Sequence, residues 1–567
     1  MVNLYNVDGT MNRHWLIPFH GTVSMIPRLA YLTSTEKSVS ALTDIELCQE
    51  GQQKTLMHEP GTSNGNISGT SFTRWSKSSC IFIDYILTAN HPDHAANATG
   101  TTIILRQARR KRGQRRGRIA LVSAQSNAQI LFTALLSTTA AAPFWHKLVQ
   151  RDVAVPPSQD AFYVQPSNIN SYKPGAVIRS RSLPATLPGL NSGENAGANL
   201  KSVTQYMYRT TDGLGDPVAA VNTLLVPNLN ADNMKLLSFQ THYDTANNDC
   251  SPSWTLRPES NNTAGDDEIF MIAGLNKGWY VVTSDYEGLE AQFTAGLMAG
   301  YGTLDSLRAV LSSTSTATSG LSPKARHVLW GYSGGALASE WAAELAPKYA
   351  PELKIQGAAL GGLTPNVTNV LYTINGGQNA GLTFTGIAGL TRIWPNATKW
   401  LNDNLIPSKA AEFRRFAAEC SNTNNTSGKN IGDYFINGFA SLNEPIPQQL
   451  LETNGQMGYH STPKIPLYFY KAAEDEISPV GDTDALYARY CAKGATIQYD
   501  RNVLGDHFSE VVTGAGAAIE WVEDRLNGIA VSNQGECVKN TVVESSLDVA
   551  DFLDLGAVLI AALLALL

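Results

Sequence analysis

One stretch restricts the fold more than any other: "ARHVLWGYSGGALASEWAAELAPKYAPELKI", residues 325 to 355. The apolar run 326–330 reads as a buried strand. "ALASEWAAELA" reads as the start of a helix. Between them lies Gly331-Tyr332-Ser333-Gly334-Gly335, a G-x-S-x-G motif. A turn this tight needs glycines, because a Cβ would clash in it. It holds a serine in a strained conformation with the hydroxyl exposed above the sheet edge. The helix N-terminus adds a positive dipole end where negative charge can develop. The motif alone is cheap: with Gly and Ser each near 7% of residues, a chain this long yields about 0.2 matches by chance. A second copy, Gly61-Thr62-Ser63-Asn64-Gly65, has neither strand before it nor helix after it and reads as a coincidence.

The surrounding text extends the pattern. "MKLLSFQTHYD" (234–244), "GWYVVTSDYEG" (278–288), "IPLYFYKAAEDEISPV" (465–480) and "ATIQYD" (495–500) read as strands ending in polar loops. "FTAGLMAGYGTLDSLRAVL" (293–311) and "SEVVTGAGAAIEWVEDRL" (509–526) have helical periodicity. Strands alternating with helices predict an α/β protein with a mostly parallel sheet. Residues 363–460, rich in Asn, Gly and Thr with short helical runs, break that rhythm and predict an inserted, largely helical cap.

Charge excludes one class of function. The net charge of −7 hides an asymmetry. Residues 1–142 carry 14 Lys+Arg and 8 Asp+Glu, leaving 28 and 41 for the rest. An acidic body argues against nucleic acid as a partner. The six cysteines, Cys48, Cys80, Cys250, Cys420, Cys491 and Cys537, contain no C-x-x-C pair. That disfavours zinc and redox motifs and suits disulfides of a secreted chain. Sequons open at Asn66, Asn97, Asn261, Asn366, Asn396, Asn424 and Asn425, in keeping with a glycoprotein.

A serine hydroxyl needs a base to take its proton. Where the nucleophile lies on such a turn, the partners follow in the order Ser, acid, His. Only His460 and His507 lie downstream of Ser333. His460 precedes a strand, at the wrong sheet edge. His507, in "VLGDHFSEV", falls between a late strand and the last helix, where the base belongs. The acid should follow the preceding strand, among Glu474, Asp475 and Glu476. A short carboxylate in a loop closed by Ile477 and Pro479 favours Asp475, while Asp506 reads as solvated. The oxyanion needs donors. One is the N–H of Gly334, and the loop 241–254 stands where a second should come from.

These blocks together resemble the fungal secretory lipase family of the lipase A type, in the α/β-hydrolase superfamily. The matching text is "GYSGGALASEWAAELAPKYAPEL", "GWYVVTSDYEG", "HYDTANNDCSPSW", "AAEDEISP", "RYCAKGA" and "GDHFSE", in family order across residues 150–540. The resemblance implies Ser333 as nucleophile, Asp475 as acid and His507 as base. It also implies the amides of Asp244 and Gly334 as oxyanion hole, and disulfides Cys250–Cys420 and Cys491–Cys537. No metal and no cofactor are expected. The expected activity is secreted serine ester hydrolysis, with triacylglycerol as substrate. Acyl transfer or short-chain ester hydrolysis by the same residues is the alternative, and a non-catalytic surface protein on the same scaffold a remoter one. "LTFTGIAGLTRIW" (382–394) is a candidate tunnel wall, with core packing an equal reading. Asp285 and Glu287 read as structural.

The expected organisation follows. Residues 1–117 form a non-family extension, disordered or an artefact of the gene model. It includes most of the basic run "RQARRKRGQRRGR" (106–118), which leads into the next segment, and the two cysteines without family counterparts, Cys48 and Cys80. Residues 118–142 resemble a displaced signal peptide: a basic run, an apolar run and small residues. The core comprises 143–362 and 461–530, interrupted by the cap at 363–460. The tail 531–567 ends in "LGAVLIAALLALL", short for a membrane span and similar to a GPI-anchor signal. A simple C-terminal helix is the other reading of that tail.

Overall fold

The computed structural model describes residues 154–187, 198–260, 267–420 and 426–542 in full, and before residue 152 only the backbone of five strands. The chain divides into two units, Met1–Asp152 and Val153–Leu567. In the first, β1 (Ile26–Leu29), β2 (Thr33–Thr35), β3 (Ser38–Cys48), β4 (Cys80–Asn90) and β5 (Thr101–Gln107) pair antiparallel. The order is β1-β3-β4-β5, with β2 on β3. The sequence pattern had suggested no sheet here. The strands draw on short β-branched and aromatic runs such as "IFIDYIL" and "TTIIL", which satisfy β propensity without sustained alternation. Ser63, the signal-like segment 118–142 and the apolar tail all lie outside the described residues. No helix among the described residues is long and apolar enough to cross a membrane.

The second unit is built on ten strands: β6 (Val177–Leu183), β7 (Leu200–Thr211), β8 (Pro217–Pro227), β9 (Asp232–Gln240), β10 (Trp279–Ser284), β11 (Arg326–Tyr332), β12 (Ile355–Gly361), β13 (Leu467–Ala472), β14 (Ile497–Asn502) and β15 (Cys537–Val542). Their order is β15-β14-β13-β12-β11-β9-β10-β8-β7-β6. Pairing is parallel from β15 through β10 and antiparallel from β10 through β6. This is the expected mostly parallel α/β-hydrolase sheet, with an antiparallel edge. The central strands are buried on both faces, and so they read as apolar runs rather than alternating ones. β15 carries the sheet past residue 530, where the sequence suggested only a tail.

The chain runs from β9 to β10 on one side, then returns past β9 to β11 on the other. Loops at the carboxyl ends of strands flanking such a reversal leave a crevice in which ligands bind. One face of the sheet packs on the helices Gly296–Leu311 and Gly334–Tyr349 through Leu304, Leu307, Leu337 and Trp341. The other packs on Glu268–Asn276 and Ala515–Asn527 through Phe270, Met271, Ile519 and Trp521. The predicted helix at 509–526 is two helices, His507–Thr513 and Ala515–Asn527, meeting at Gly514. A Cβ on Gly514 would run into the Tyr470 ring.

Between β12 and β13 lies the insertion expected from composition. It holds the helices Val367–Ile374, Gly381–Thr391, Pro395–Asn404, Ala410–Ala417 and Pro445–Asn454. It has an aromatic core of its own: Phe384 packs on Phe413 at 5.4 Å between ring centroids, on Phe416 at 5.2 Å and on Tyr434 at 4.8 Å.

Candidate active site

β11 ends at Tyr332 and a helix begins at Gly334, leaving Ser333 alone in the turn. Its backbone stands at φ 51°, ψ −118°, a left-handed conformation rare for a residue with a side chain. The turn is that tight because the helix starts against the sheet. A Cβ on Gly331 would overlap the backbone of Gly335, and one on Gly335 would overlap the Gln240 carbonyl. Both glycines are therefore required by close approach.

The structure brings the three predicted side chains together. His507 Nε2 lies 2.9 Å from Ser333 Oγ, and His507 Nδ1 lies 2.7 Å from Asp475 Oδ2. All three residues are buried, although 174 residues separate Ser333 from His507. Each follows the carboxyl end of a parallel strand: β11, β13 and β14. His507 opens its helix behind the N-cap Asp506, which forms a capping box with Ser509. Its backbone is fixed twice more: the N–H donates to Glu476 at 2.7 Å, and its carbonyl accepts from the Tyr332 hydroxyl at 2.6 Å. Asp475 Oδ1 accepts from the N–H groups of Ile477 and Ser478 at 3.0 and 2.7 Å. Burial alone would raise this carboxyl, but His507 and Lys471 outweigh it and hold the pKa at about 2. Glu474 and Glu476, the other two acids of the loop, are exposed. His460 lies elsewhere, its ring 4.9 Å from Trp341.

The loop after β9 supplies Asp244, whose backbone is also left-handed at φ 40°. It lies against the nucleophile turn, since a Cβ on Gly334 would overlap Asp244 Oδ1. Several bonds fix this loop. Asp267 Oδ2 accepts from the His242 N–H at 2.7 Å and meets its Nδ1 at 2.6 Å. The Tyr286 hydroxyl donates to the Thr241 carbonyl at 2.7 Å, and the Glu287 N–H donates to the Tyr243 hydroxyl at 2.7 Å. Asp285 accepts from the N–H and hydroxyl of Ser253 at 2.9 and 2.5 Å. The Asp285 carboxylate thus braces this region, while Glu287 contributes only its backbone N–H. The Cys250–Cys420 disulfide ties the same segment to the cap, and Cys491–Cys537 ties β15 to the helix Val480–Cys491. Both pairings are those the resemblance implied.

Ser333, Gly334 and Asp244 open on an apolar cavity of about 100 Å³. Cap residues Leu371, Leu382, Ile387, Leu390 and Leu451 line it with Leu337 and Ile477. The segment 382–394 is thus a wall of the cavity. Ile393, by contrast, points into a core cluster, so both readings of that segment hold in part.

Sequence reasoning missed Lys471. Its wholly buried ammonium donates to Asp475 Oδ2 at 2.7 Å and to the Leu363 carbonyl at 2.9 Å. A lysine inside a strand of apolar and aromatic residues gives no sign of its partner. It also missed the His242–Asp267 pair, for which the only signal was a histidine and an acid in blocks already noted.

Known proteins resemble this chain in sequence and in fold. Residues 258–533 match the secretory lipase family. The chain is 41% identical to trichothecene C-3 esterase of Fusarium sporotrichioides, over 69% of its own length and 89% of that protein's. It is 39% identical to lipase A of Arthroderma benhamiae, over 67% and 82%. The crystal structure of Candida antarctica lipase A in its closed state superposes with a TM-score of 0.65 at 27% identity, over 72% of this chain and 95% of that one. The chain belongs to the secretory lipase family and is a carboxylic-ester hydrolase.

Proposed function

We propose that the protein is an extracellular triacylglycerol lipase working through an acyl-enzyme on Ser333. The observation that carries this reading is the hydrogen-bonded line Ser333–His507–Asp475 opening on an apolar cavity. In the proposed cycle Ser333 Oγ attacks the ester carbonyl while His507 Nε2 takes its proton. The N–H groups of Gly334 and Asp244 receive the oxyanion. His507 then protonates the departing alcohol. Water, deprotonated by the same imidazole, releases the acid. Asp475 orients the ring and stabilises the imidazolium. The acyl chain would lie along Leu371, Leu382, Ile387 and Leu451, where each buried methylene contributes about 0.8 kcal/mol. That gradient favours long chains.

Replacement of Ser333 by alanine tests the reading. Hydrolysis of a p-nitrophenyl ester should fall by at least about 10³-fold with unchanged melting. Retained activity in the folded variant would refute it. A second reading has support in the 41% identity to a trichothecene esterase: a short acyl ester of a bulky alcohol, with the alcohol in the cavity. Relative rates on a long-chain triglyceride and an acetylated terpenoid alcohol separate the two. Product analysis with added alcohol separates hydrolysis from acyl transfer.

A further inference from the structure

Lys471 stands on β13 four residues before Asp475, with no exposed surface. Burying an ammonium is expensive unless it is paired. Two backbone N–H groups already hold Asp475 Oδ1, so Lys471 pins only Oδ2. What Lys471 adds at Oδ2 is charge. His507 Nδ1 bonds the same oxygen, and each donor is 2.7 Å from it. The ammonium and the ring nitrogen are therefore no more than about 5.4 Å apart. At that range a like charge disfavours ionisation.

We propose that Lys471 is a positioning residue that pins Asp475 and opposes protonation of His507, keeping the base free in acidic medium. The proposal rests on the reading of Ser333, His507 and Asp475 given above. The charges around the pair set its sign. Lys471 feels Asp475, Asp482 from the helix Val480–Cys491 and Glu510 from the helix His507–Thr513. Burial pulls the Lys471 pKa below the usual lysine value, and these three acids offset only part of that fall. His507 faces Asp475 and Glu476 of the acid loop, Asp506 at its own N-cap and Asp244 of the loop after β9. It also faces the Tyr332 ring at 5.2 Å. Every one of those carboxylates favours the imidazolium. Burial raises Asp244 and takes Glu510 up to about 7, which weakens their pull in acid. Lys471 supplies the opposing charge. It also bonds the Leu363 carbonyl, which accepts from Ser478 Oγ at 3.2 Å too, so the ammonium is fixed in place.

The test compares Lys471→Gln, which keeps a donor without charge, with Lys471→Met, which keeps neither. Two readouts are followed against pH: kcat/KM on a soluble ester, and the rate at which a fluorophosphonate labels Ser333. In Lys471→Gln the acid limb of both profiles should move up by about 1 pH unit. The position of the limb is the readout, since loss of packing alone would lower the plateau without moving it. An unmoved limb in a folded variant overturns the proposal. Should both variants fail to fold, ¹⁵N NMR of lysine-labelled wild-type protein decides. Lys471 should appear as a protected ammonium at pH 5, and a neutral amine there overturns the proposal. Absence of labelling at Ser333 in the wild type at every pH would instead overturn the underlying reading.

Discussion

The Cys250–Cys420 disulfide closes a loop of 170 residues and joins the segment after β9 to the cap. In the chain-entropy description a cross-link of that span removes about 17 cal/mol/K from the unfolded ensemble, or about 5 kcal/mol at 25 °C. The folded unit spans roughly 400 residues, so its unfolding entropy near the midpoint is about 0.8 kcal/mol/K. Replacing both cysteines by serine should therefore lower the melting temperature by about 6 °C. Cys491–Cys537 spans only 46 residues and is worth about 4 kcal/mol on the same reasoning, or about 5 °C. The assay is thermal unfolding of the two double variants beside the wild type, without reductant. Two results would refute the reasoning. One is a fall of less than 2 °C on removing Cys250–Cys420. The other is a clearly larger fall on removing Cys491–Cys537. Either would mean that native contacts, not chain entropy, decide what these bridges contribute.

Acid should stabilise the fold. Burial raises Asp285 and Glu510 to about 7 and Glu268 to about 8, against an unfolded carboxyl near 4. A raised folded value gives stability that is complete below the unfolded pKa and lost as pH climbs through the folded one. Asp475, at about 2, acts the opposite way, and only below pH 4. Urea midpoints measured from pH 2 to 9 should peak near pH 4, and a midpoint that rises towards pH 8 contradicts this. Gly335→Ala places a methyl on the Gln240 carbonyl and should cost about 1–3 kcal/mol while slowing Ser333 labelling. An unchanged melting temperature would show that the turn has slack.

The nucleophile was legible because strand, turn and helix are contiguous and G-x-S-x-G needs only local context. Asp475 and His507 were legible through chain order and through strands that announce themselves as apolar runs. What escaped depends on pairs distant in sequence or on charge hidden in a strand. Lys471 reads as an ordinary break in "LYFYKA", and its partner Leu363 lies 108 residues away. The β15 edge strand, "CVKNTV", is mostly exposed and lacks the apolar run that marks its neighbours. Asp285 was read as structural, but the group its carboxylate holds, Ser253, could not be named from the sequence.

The cap enters and leaves the sheet between two adjacent strands, and Leu363 at its start is bonded to Lys471, Ser478 and Thr483 around the acid. Natural variation has in this arrangement a replaceable cassette. About a hundred consecutive residues supply most of the cavity's apolar lining, while Ser333, Asp475 and His507 belong to the scaffold outside them. A lineage could exchange one insertion for another, through drift or recombination, and acquire a new diet without relearning its chemistry. The anchor at Leu363 marks where such a graft would have to be faithful.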